Sequence, residues 1–269
     1  AGESQLDELA GQLGIDPIDL RLRNALRSGD KWFGSHDVPV CTVAECLEAI
    51  RHHPAWQAAQ ARTPSRPGRR RGLGVATVVQ QSGIFASSAS VRLAEDGSLT
   101  VSTGYIDIGN GSDTTLAQIC AGSLGVPIEQ VNVVAADTDG AAYDFGTAAD
   151  RGTHGVGLSV QQAALRVQER MFAIAGEMLE CSPEDLELRA GGKVGLKGMP
   201  AVELRFGDIA LRAHYVGGGP IIGAHSWYMQ EPPLDPAVTR SVGFRMGGGV
   251  YYGFAAHAVE VEVDETDGG

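Results

Sequence analysis

Residues 99–135 read LTVSTGYIDIGNGSDTTLAQICAGSLGVPIEQVNVVA, and this stretch decides the fold class. Leu99–Thr103 is short, apolar and β-branched, which is typical of a strand. A glycine-rich turn, Gly109–Gly111, leads into a predicted helix at about Asp113–Leu124. Val131–Ala135 predicts a second, buried strand. A strand, a helix and a strand in this order favour a mixed α/β or α+β fold over a helical bundle or a β-sandwich.

Upstream of this stretch, Glu95-Asp96-Gly97 predicts a hairpin turn between strands at Ser88–Leu93 and Leu99–Thr103. A further strand is predicted at Gly72–Val79. Apolar residues at helical spacing predict helices before it, at about 6–13, 16–29 and 43–59.

Downstream, a loop at Asp137–Arg151 leads into a long predicted helix, Thr153–Leu179, which carries an apolar stripe. Further strands are predicted at 186–188, 193–196, 220–228 and 256–263. The last of these reads AHAVEVEV, so it alternates an apolar with an acidic face.

Composition shifts divide the chain into a helical part, residues 1–62, a linker, residues 63–71, and a mixed part, residues 72–269. The linker contains the only basic run, RPGRRR at 66–71, which we interpret as solvated chain. Because the first residues read as the interior of a helix and the last follow a strand, we expect the chain to be a piece of a larger subunit.

The overall charge argues against several classes of partner. The 269 residues carry a net charge of −12, so we expect no nucleic-acid partner, since phosphate binding needs a basic surface. No apolar run approaches the length of about 20 residues that a membrane helix needs. The cysteines fit no common zinc or iron–sulfur spacing, and free thiols favour a reducing, cytoplasmic location.

Two loops are candidates for binding chemistry. The first, Gly104–Thr114, connects a strand to a helix start, and the second, Phe145–Thr153, opens the long helix. Glycines and helix starts allow a phosphate or a pterin oxygen to approach backbone N–H groups. In the second loop, Arg151 could pair with a phosphate. Taken alone, each loop is better interpreted as plain architecture, in which a polar residue caps the helix.

The chain resembles the molybdenum hydroxylase family, whose large subunits carry a D-I/M-G-Q-G-x-x-T loop, a helix ending in L-G-V-P, and an A-S-R-x-T loop. The corresponding segments here are DIGNGSDT (107–114), LAQICAGSLGVPIEQVNVVAADTD (116–139) and FGTAADRGTHGVGLSVQQAA (145–164). The opening QLDELAGQLGIDPIDLRLRNALRSGD (5–30) and the closing HAVEVEVDETDG (257–268) also match family segments, so the resemblance covers most of the chain in order.

The resemblance implies part of the molybdopterin-binding region of a xanthine dehydrogenase/aldehyde oxidase large subunit. Residues 1–62 would be the helical end of a first molybdopterin-binding domain, and residues 72–269 part of a second. The residues that it implies at the cofactor are Gly109, Asn110, Gly111, Ala148, Ala149, Asp150, Arg151, Gly152 and Thr153. Of the histidines, only His154 beside the second loop is a further candidate.

The implied activity is that of an oxidoreductase, which hydroxylates a carbon of an aldehyde, an N-heterocycle or an aromatic acyl-CoA with oxygen from water, or runs the reductive counterpart. The implied cofactor is molybdopterin, as such or as its cytosine dinucleotide, with 2Fe–2S clusters and FAD on partner subunits of a bacterial-type complex. The pattern looks nearest to the hydroxybenzoyl-CoA reductase and nicotinate dehydrogenase branch. The family's general-base glutamate is expected beyond residue 269, so no catalytic residue is assigned and the chain alone is expected to be inactive.

Two departures from the family pattern support an alternative hypothesis. Asn110 stands where the family usually has Gln, and Asp150 where it usually has Ser. The Asn amide reaches less far, and a carboxylate beside an anionic cofactor is unfavourable unless it is neutralised. The alternative is therefore a non-catalytic, truncated paralogue that keeps the fold without a functional molybdenum site.

Overall fold

The computed structural model describes residues 2–32, 36–82, 85–135, 137–228 and 251–268, and mixes helices with strands as predicted. The helices are α1 (Gly2–Leu13), α2 (Pro17–Asn24), α3 (Val43–His52), α4 (Pro54–Ala61), α5 (Ser112–Leu124), α6 (Gly157–Leu179) and α7 (Phe206–Tyr215). The strands are β1 (Lys31–Trp32), β2 (His36–Asp37), β3 (Arg69–Ser82), β4 (Ser87–Leu93), β5 (Leu99–Thr103), β6 (Val131–Ala135), β7 (Leu186–Arg189), β8 (Lys193–Leu196), β9 (Met199–Arg205), β10 (Ile221–Trp227) and β11 (Tyr251–Asp264).

Contacts divide the chain into two compact units, Ala1–Gln81 with Pro233–Gly269, and Ser82–Pro232. The sequence placed a linker at 63–71, but β3 begins at Arg69, inside that linker. The domains assigned from the sequence stay a prediction, because the contact units describe compactness rather than domain identity.

The second unit is built on a four-stranded sheet in the order β10-β4-β5-β6. β4 pairs antiparallel with β5 and β10, whereas β5 and β6 run parallel with α5 in the connection between them. Inward residues of β4 and β5 alternate with less buried ones, as expected of strands with one covered face. Helices α5 and α6 contact each other and the sheet, so their apolar stripes and the sheet form the core of this unit.

In the first unit, β3 pairs with β11 in a two-stranded sheet, and Ile18, Leu47 and Val75 form a small core. The predicted acidic face of β11 is confirmed, because Glu260, Glu262 and Asp264 form salt bridges there.

The basic run is solvated at Arg66 and Arg70, whose side chains are 62% and 82% exposed, but it also forms ion pairs and enters β3 at Arg69. Arg66, Arg69 and Arg71 each form salt bridges with acidic side chains of β11, and Arg70 pairs with Glu265. Opposite charges on paired strands attract each other, so the run belongs to a charged sheet.

Some element boundaries also differ from the sequence prediction. The single helix expected at 43–59 is two helices, because Pro54 lacks an N–H and starts a new helix after His53. Strand β9 and helix α7 were not predicted. Within the described residues, no helix is long and apolar enough to cross a membrane.

Candidate cofactor-binding site

The first predicted loop connects β5 to α5 through a turn organised by Asp107. Its carboxylate accepts hydrogen bonds from the backbone N–H groups of Gly109, at 2.7 Å, Asp113, at 3.3 Å, and Gly111, at 3.4 Å. The hydrogen bond from Gly109 is the main cause that lowers the pKa of Asp107. The backbone N–H groups of Gly109 and Gly111, which were expected to face a cofactor, therefore donate to the carboxylate of Asp107 instead.

The start of α5 holds two buried oxygen atoms without hydrogen-bond partners among the described residues. The first is the hydroxyl of Ser112, a residue that is only 5% exposed, and the second is Oδ1 of Asp113. Burial, followed by the charge of Asp107, raises the pKa of Asp113. Buried polar atoms almost always have partners, so an orphaned hydroxyl here indicates room for a polar ligand.

The second predicted loop ends in an unusual backbone. Ala149 and Asp150 adopt positive φ angles of 48° and 47°, which non-glycine residues rarely take. The chain then enters a wide π-helical turn, Gly152–Val156, before α6 begins. Strained residues and π-helical turns concentrate at functional sites, and here they occur together.

Residues of both loops meet at one cavity. It has a volume of about 210 Å³ and is lined by Tyr105, Asn110, Ser112, Thr115, Leu116, Asp150, Gly152 and Thr153. Four of the residues assigned from the sequence thus lie together, namely Asn110, Asp150, Gly152 and Thr153. The other assigned residues, Gly109, Gly111, Ala148, Ala149 and Arg151, belong to the same loops but do not line the cavity.

Arg151 corrects one expectation. Its side chain is completely buried and forms a salt bridge with Asp144, whose side chain is also completely buried. The guanidinium is thus held in the interior by Asp144, and Arg151 is not among the residues that line the cavity. Its two neighbours in the chain, Asp150 and Gly152, line the cavity.

Tyr105 joins the two loops and was not identified from the sequence. The residue is 2% exposed, and its hydroxyl accepts a hydrogen bond of 3.3 Å from the side-chain amide of Asn110. A side chain at Gly152 would lie 2.6 Å from the same hydroxyl, so Tyr105 packs against the second loop at its glycine. A lone Tyr between a strand and a turn carries no pattern that would have revealed this role.

Asp107 and Asp144 were also missed. Asp107 had a usable signal, since Asp two residues before Gly often accepts a backbone N–H in a turn. Asp144 had none, because its importance depends on a partner seven residues away in a loop without a regular period.

His154 lies outside the cavity lining. Its ring contacts Trp227 edge-on, with ring centroids 4.9 Å apart, and burial lowers its pKa. This places it as a half-buried packing residue of the π-helical turn. No group of three or more His, Cys, Asp or Glu side chains among the described residues is arranged to hold a metal ion.

Comparison with known proteins identifies the family. A profile described as "Molybdopterin cofactor-binding domain" matches residues 45–269. The chain belongs to this molybdopterin cofactor-binding family. The family resemblance and the fold class inferred from the sequence are thereby confirmed.

Relatives of this molybdopterin-binding chain are longer proteins. The putative xanthine dehydrogenase molybdenum-binding subunit of Escherichia coli K12 is 35% identical over 228 residues, which cover 80% of this chain and 30% of that protein. Quinoline 2-oxidoreductase from Pseudomonas putida 86 matches with a TM-score of 0.65 and 27% identity over 100% of this chain and 35% of its own. Aldehyde oxidoreductase from Desulfovibrio desulfuricans ATCC 27774 shares the fold, with a TM-score of 0.71 at 23% identity over 97% of this chain and 26% of its own. The chain spans about a quarter to a third of the length of these relatives.

The cavity residues fit a phosphate-bearing pterin in most respects. The orphaned Ser112 hydroxyl and the Asn110 amide can bind polar edges, and the helical start at Gly152 and Thr153 presents N–H groups suited to an anion. Asp150 is the exception, because its carboxylate shares the cavity.

Proposed function

We propose that this chain is the cofactor-holding part of the large subunit of a molybdenum hydroxylase of the xanthine dehydrogenase/aldehyde oxidase family. The observation that carries the proposal is the single cavity to which Asn110 of the first loop and Asp150, Gly152 and Thr153 of the second contribute. A ligand with separated polar groups can contact both loops at once, which a single helix start cannot offer.

Each cavity residue has a distinct role in this proposal. Ser112 has a buried hydroxyl free to bind a polar ligand atom, and Asn110 is oriented by its hydrogen bond to Tyr105. The N–H groups of Gly152 and Thr153 open a long helix, whose dipole favours an anion at this end. The backbone N–H groups of Gly109 and Gly111 in the first loop already donate to the carboxylate of Asp107. We therefore assign the phosphate to the second loop, and the polar edges of the pterin or nucleotide to the first.

When bound, the cofactor would supply the two-electron oxidation that places oxygen from water on a substrate carbon. We propose an N-heterocycle or an aldehyde as substrate, which the names of the relatives support, with aromatic acyl-CoA as the third class. The proposed assembly is cytoplasmic, carries 2Fe–2S clusters and FAD on partner subunits, and uses molybdopterin or its cytosine dinucleotide. We propose that turnover needs the complete subunit, because this chain contributes residues that hold the cofactor, whereas no general base is assigned in it.

Cofactor content tests the proposal directly. The protein is purified from a host that makes molybdenum cofactor, and pterin fluorescence after oxidation, molybdenum and released cytosine nucleotide are measured per chain. Ser112→Ala and Asn110→Ala should each lower pterin content. Gln118→Ala should leave it unchanged, because this exposed residue of α5 lies outside both loops and does not line the cavity. A wild-type protein without pterin would overturn the proposal, as would cavity variants that retain it fully.

A second candidate, the non-catalytic paralogue, is favoured by one observation, the carboxylate of Asp150 at the cavity. The guanidinium of the neighbouring Arg151 is held by the buried carboxylate of Asp144, and Arg151 does not line the cavity. If the wild type lacks molybdenum and Asn110→Gln combined with Asp150→Ser restores it, the paralogue is the correct assignment. If the wild type already holds stoichiometric molybdenum, the paralogue is excluded.

A further inference from the structure

Arg151 ties three segments of the second unit together. One guanidinium nitrogen donates to the carboxylate of Asp144 and, at 2.7 Å, to the carbonyl oxygen of Gly146. Another donates to the carbonyl oxygen of Ala86 and the hydroxyl of Ser87. The start of β4, the loop before the site and the start of the long helix are thus held by one side chain.

Asp144 is the matching anion of this contact. Its carboxylate also accepts the N–H of Gly146 at 2.8 Å, and its backbone forms an isolated bridge with Ser87. Since both side chains are fully buried, removing either one would leave an uncompensated charge in the interior. A planar guanidinium suits this arrangement because it donates in several fixed directions at once.

The two residues before Arg151 have an unfavourable backbone conformation. Ala149 and Asp150 both have positive φ angles, and such residues persist only where their surroundings over-determine them. Asp150 and Gly152, on either side of Arg151, both line the cavity. Fixing Arg151 therefore fixes the cavity wall on both sides of it.

The same guanidinium also acts on the other loop. It lies 6.0 Å from the ring centroid of Tyr105, a residue that lines the cavity and whose hydroxyl accepts a hydrogen bond from Asn110. A cation at this distance over an aromatic ring is attracted to it. The side chain of Arg151 thus contacts Asp144, next to the second loop, and Tyr105 in the first, and both loops line the cavity.

We infer that Arg151, clamped by Asp144, is a positioning residue that sets the shape of the cofactor cavity without touching the cofactor. This inference rests on the proposed function for what the cavity binds, but the contacts that define it are independent of any ligand. It reassigns Arg151 from binding a phosphate to holding the loop that binds one.

The test compares three variants with one control. Arg151→Met removes the charge, Arg151→Lys keeps a charge with fewer donors, and Ser87→Ala removes one acceptor without stranding a charge. Arg170→Met is the control, because this exposed arginine of α6 lies outside residues 145–153 and donates long hydrogen bonds, of 3.5 and 3.4 Å, to the carbonyl oxygens of Gly218 and Gly219. Three quantities are measured. The first is amide hydrogen exchange of residues 145–153 in cofactor-free protein, and the others are the rate of pterin loss and the circular dichroism of the bound pterin.

We expect the amides of residues 145–153 to exchange faster than in the wild type in all three variants, and most of all in Arg151→Met. The control Arg170→Met should exchange as the wild type does. Pterin loss should be about 10-fold faster or more in Arg151→Met, which is the size of effect seen when residues that orient the ligands of a bound group are removed. Pterin loss in Arg151→Lys should be slower than in Arg151→Met. The dichroism of pterin that remains should change, which a uniform loss of stability would not produce. If Arg151→Met fails to fold, Arg151→Lys and Ser87→Ala carry the comparison.

The outcomes separate this inference from the proposed function. Unchanged exchange at 145–153 in the folded variants overturns the positioning role, whatever the protein binds. Normal pterin retention with unchanged dichroism in those variants overturns it as well. A wild type that holds no pterin overturns the proposed function, while the exchange measurement still decides whether Arg151 holds the loop.

Discussion

At the scale of single residues, Gly152 shows how little space separates the two loops. A Cβ at this position would lie 2.6 Å from the hydroxyl oxygen of Tyr105 and 3.0 Å from the ring carbon that bears it. Gly152→Ala should therefore displace the ring and destabilise the protein by about 1–3 kcal/mol, the usual cost of overpacking. Chemical denaturation measures this difference.

Tyr105→Phe provides the second half of a double-mutant cycle. Phe removes the nearest atom, so Gly152→Ala should cost less in the Tyr105→Phe background than in the wild type. Additive costs would show that the hydroxyl of Tyr105 is not what excludes a side chain at Gly152.

Individual site residues were only partly predictable from the sequence. Asn110, Asp150, Gly152 and Thr153 were found because a family pattern fixes their order along the chain, and the structure places them at one cavity. The direction of a side chain is decided by packing, which no pattern records. Arg151 demonstrates this, since an arginine beside a small-residue loop indicates a phosphate ligand, whereas Asp144 holds it in the interior.

At the scale of elements, close contact between α6 and β10 depends on Gly223. A Cβ at Gly223 would overlap the carbonyl oxygen of Ala163 and would crowd the backbone N of Val167, at 3.0 Å. Because helix backbone cannot yield as a flexible side chain does, Gly223→Ala should cost about 3 kcal/mol, the upper end of typical overpacking. The free energy of unfolding in urea tests this.

Gly122 offers a matched control on α5. It is exposed, and nothing lies within 4 Å of a Cβ built there. Gly122→Ala should stabilise the protein by about 0.5–1 kcal/mol, because Ala loses less conformational freedom in a helix. Equal effects of the two substitutions would contradict the proposed steric origin.

Elements with a clear period were predicted well from the sequence. Strands β4, β5, β6 and β10 and helix α5 lie within a residue or two of their predicted bounds, because each carries its own pattern and ends at a glycine, a proline or a turn. The single helix at 43–59 failed at Pro54, where a second helix starts instead. Helix α7 was missed because glycines and charged residues obscure its short apolar stripe.

At the scale of the whole molecule, acidic and basic segments far apart in sequence neutralise each other. Hydrogen bonds from the side chains of Ser65 and Thr266, with smaller contributions from arginines, lower the pKa values of Glu262 and Asp264 respectively. A carboxylate with a lowered pKa stabilises the folded state above its unfolded pKa of about 4, and this contribution is lost as the pH falls through the folded pKa.

Acidification should therefore loosen the β3–β11 sheet before the four-stranded sheet. Hydrogen exchange of peptides from β11 and from β5 is measured at several pH values between 7 and 3, and each rate is corrected for the pH dependence of intrinsic amide exchange. Protection of β11 should fall first, and Glu262→Gln should weaken this pH dependence while leaving β5 unaffected. Simultaneous loss of protection in both peptides would contradict the assignment.

The sequence did not reveal the ion pairs of residues 66–71. A basic run with proline and glycine has the local composition of a linker, and its partner strand lies nearly 200 residues away in the chain. Local patterns cannot report a pairing of this separation. The family match, by contrast, was recoverable because it depends on the order of many segments rather than on any one contact.

The π-helical turn Gly152–Val156 has a consequence for how this protein could change over generations. A π-helical turn contains one residue more than the α-helical path. Deleting one residue there would restore α-helical spacing and rotate the preceding loop by about 100° relative to α6. Asp150 would swing away from its present neighbours, while the buried stripe of α6 stayed in place. Loss of a single codon would thus also pull Arg151 from its buried contact with Asp144, and would abolish ligand binding in one mutational event.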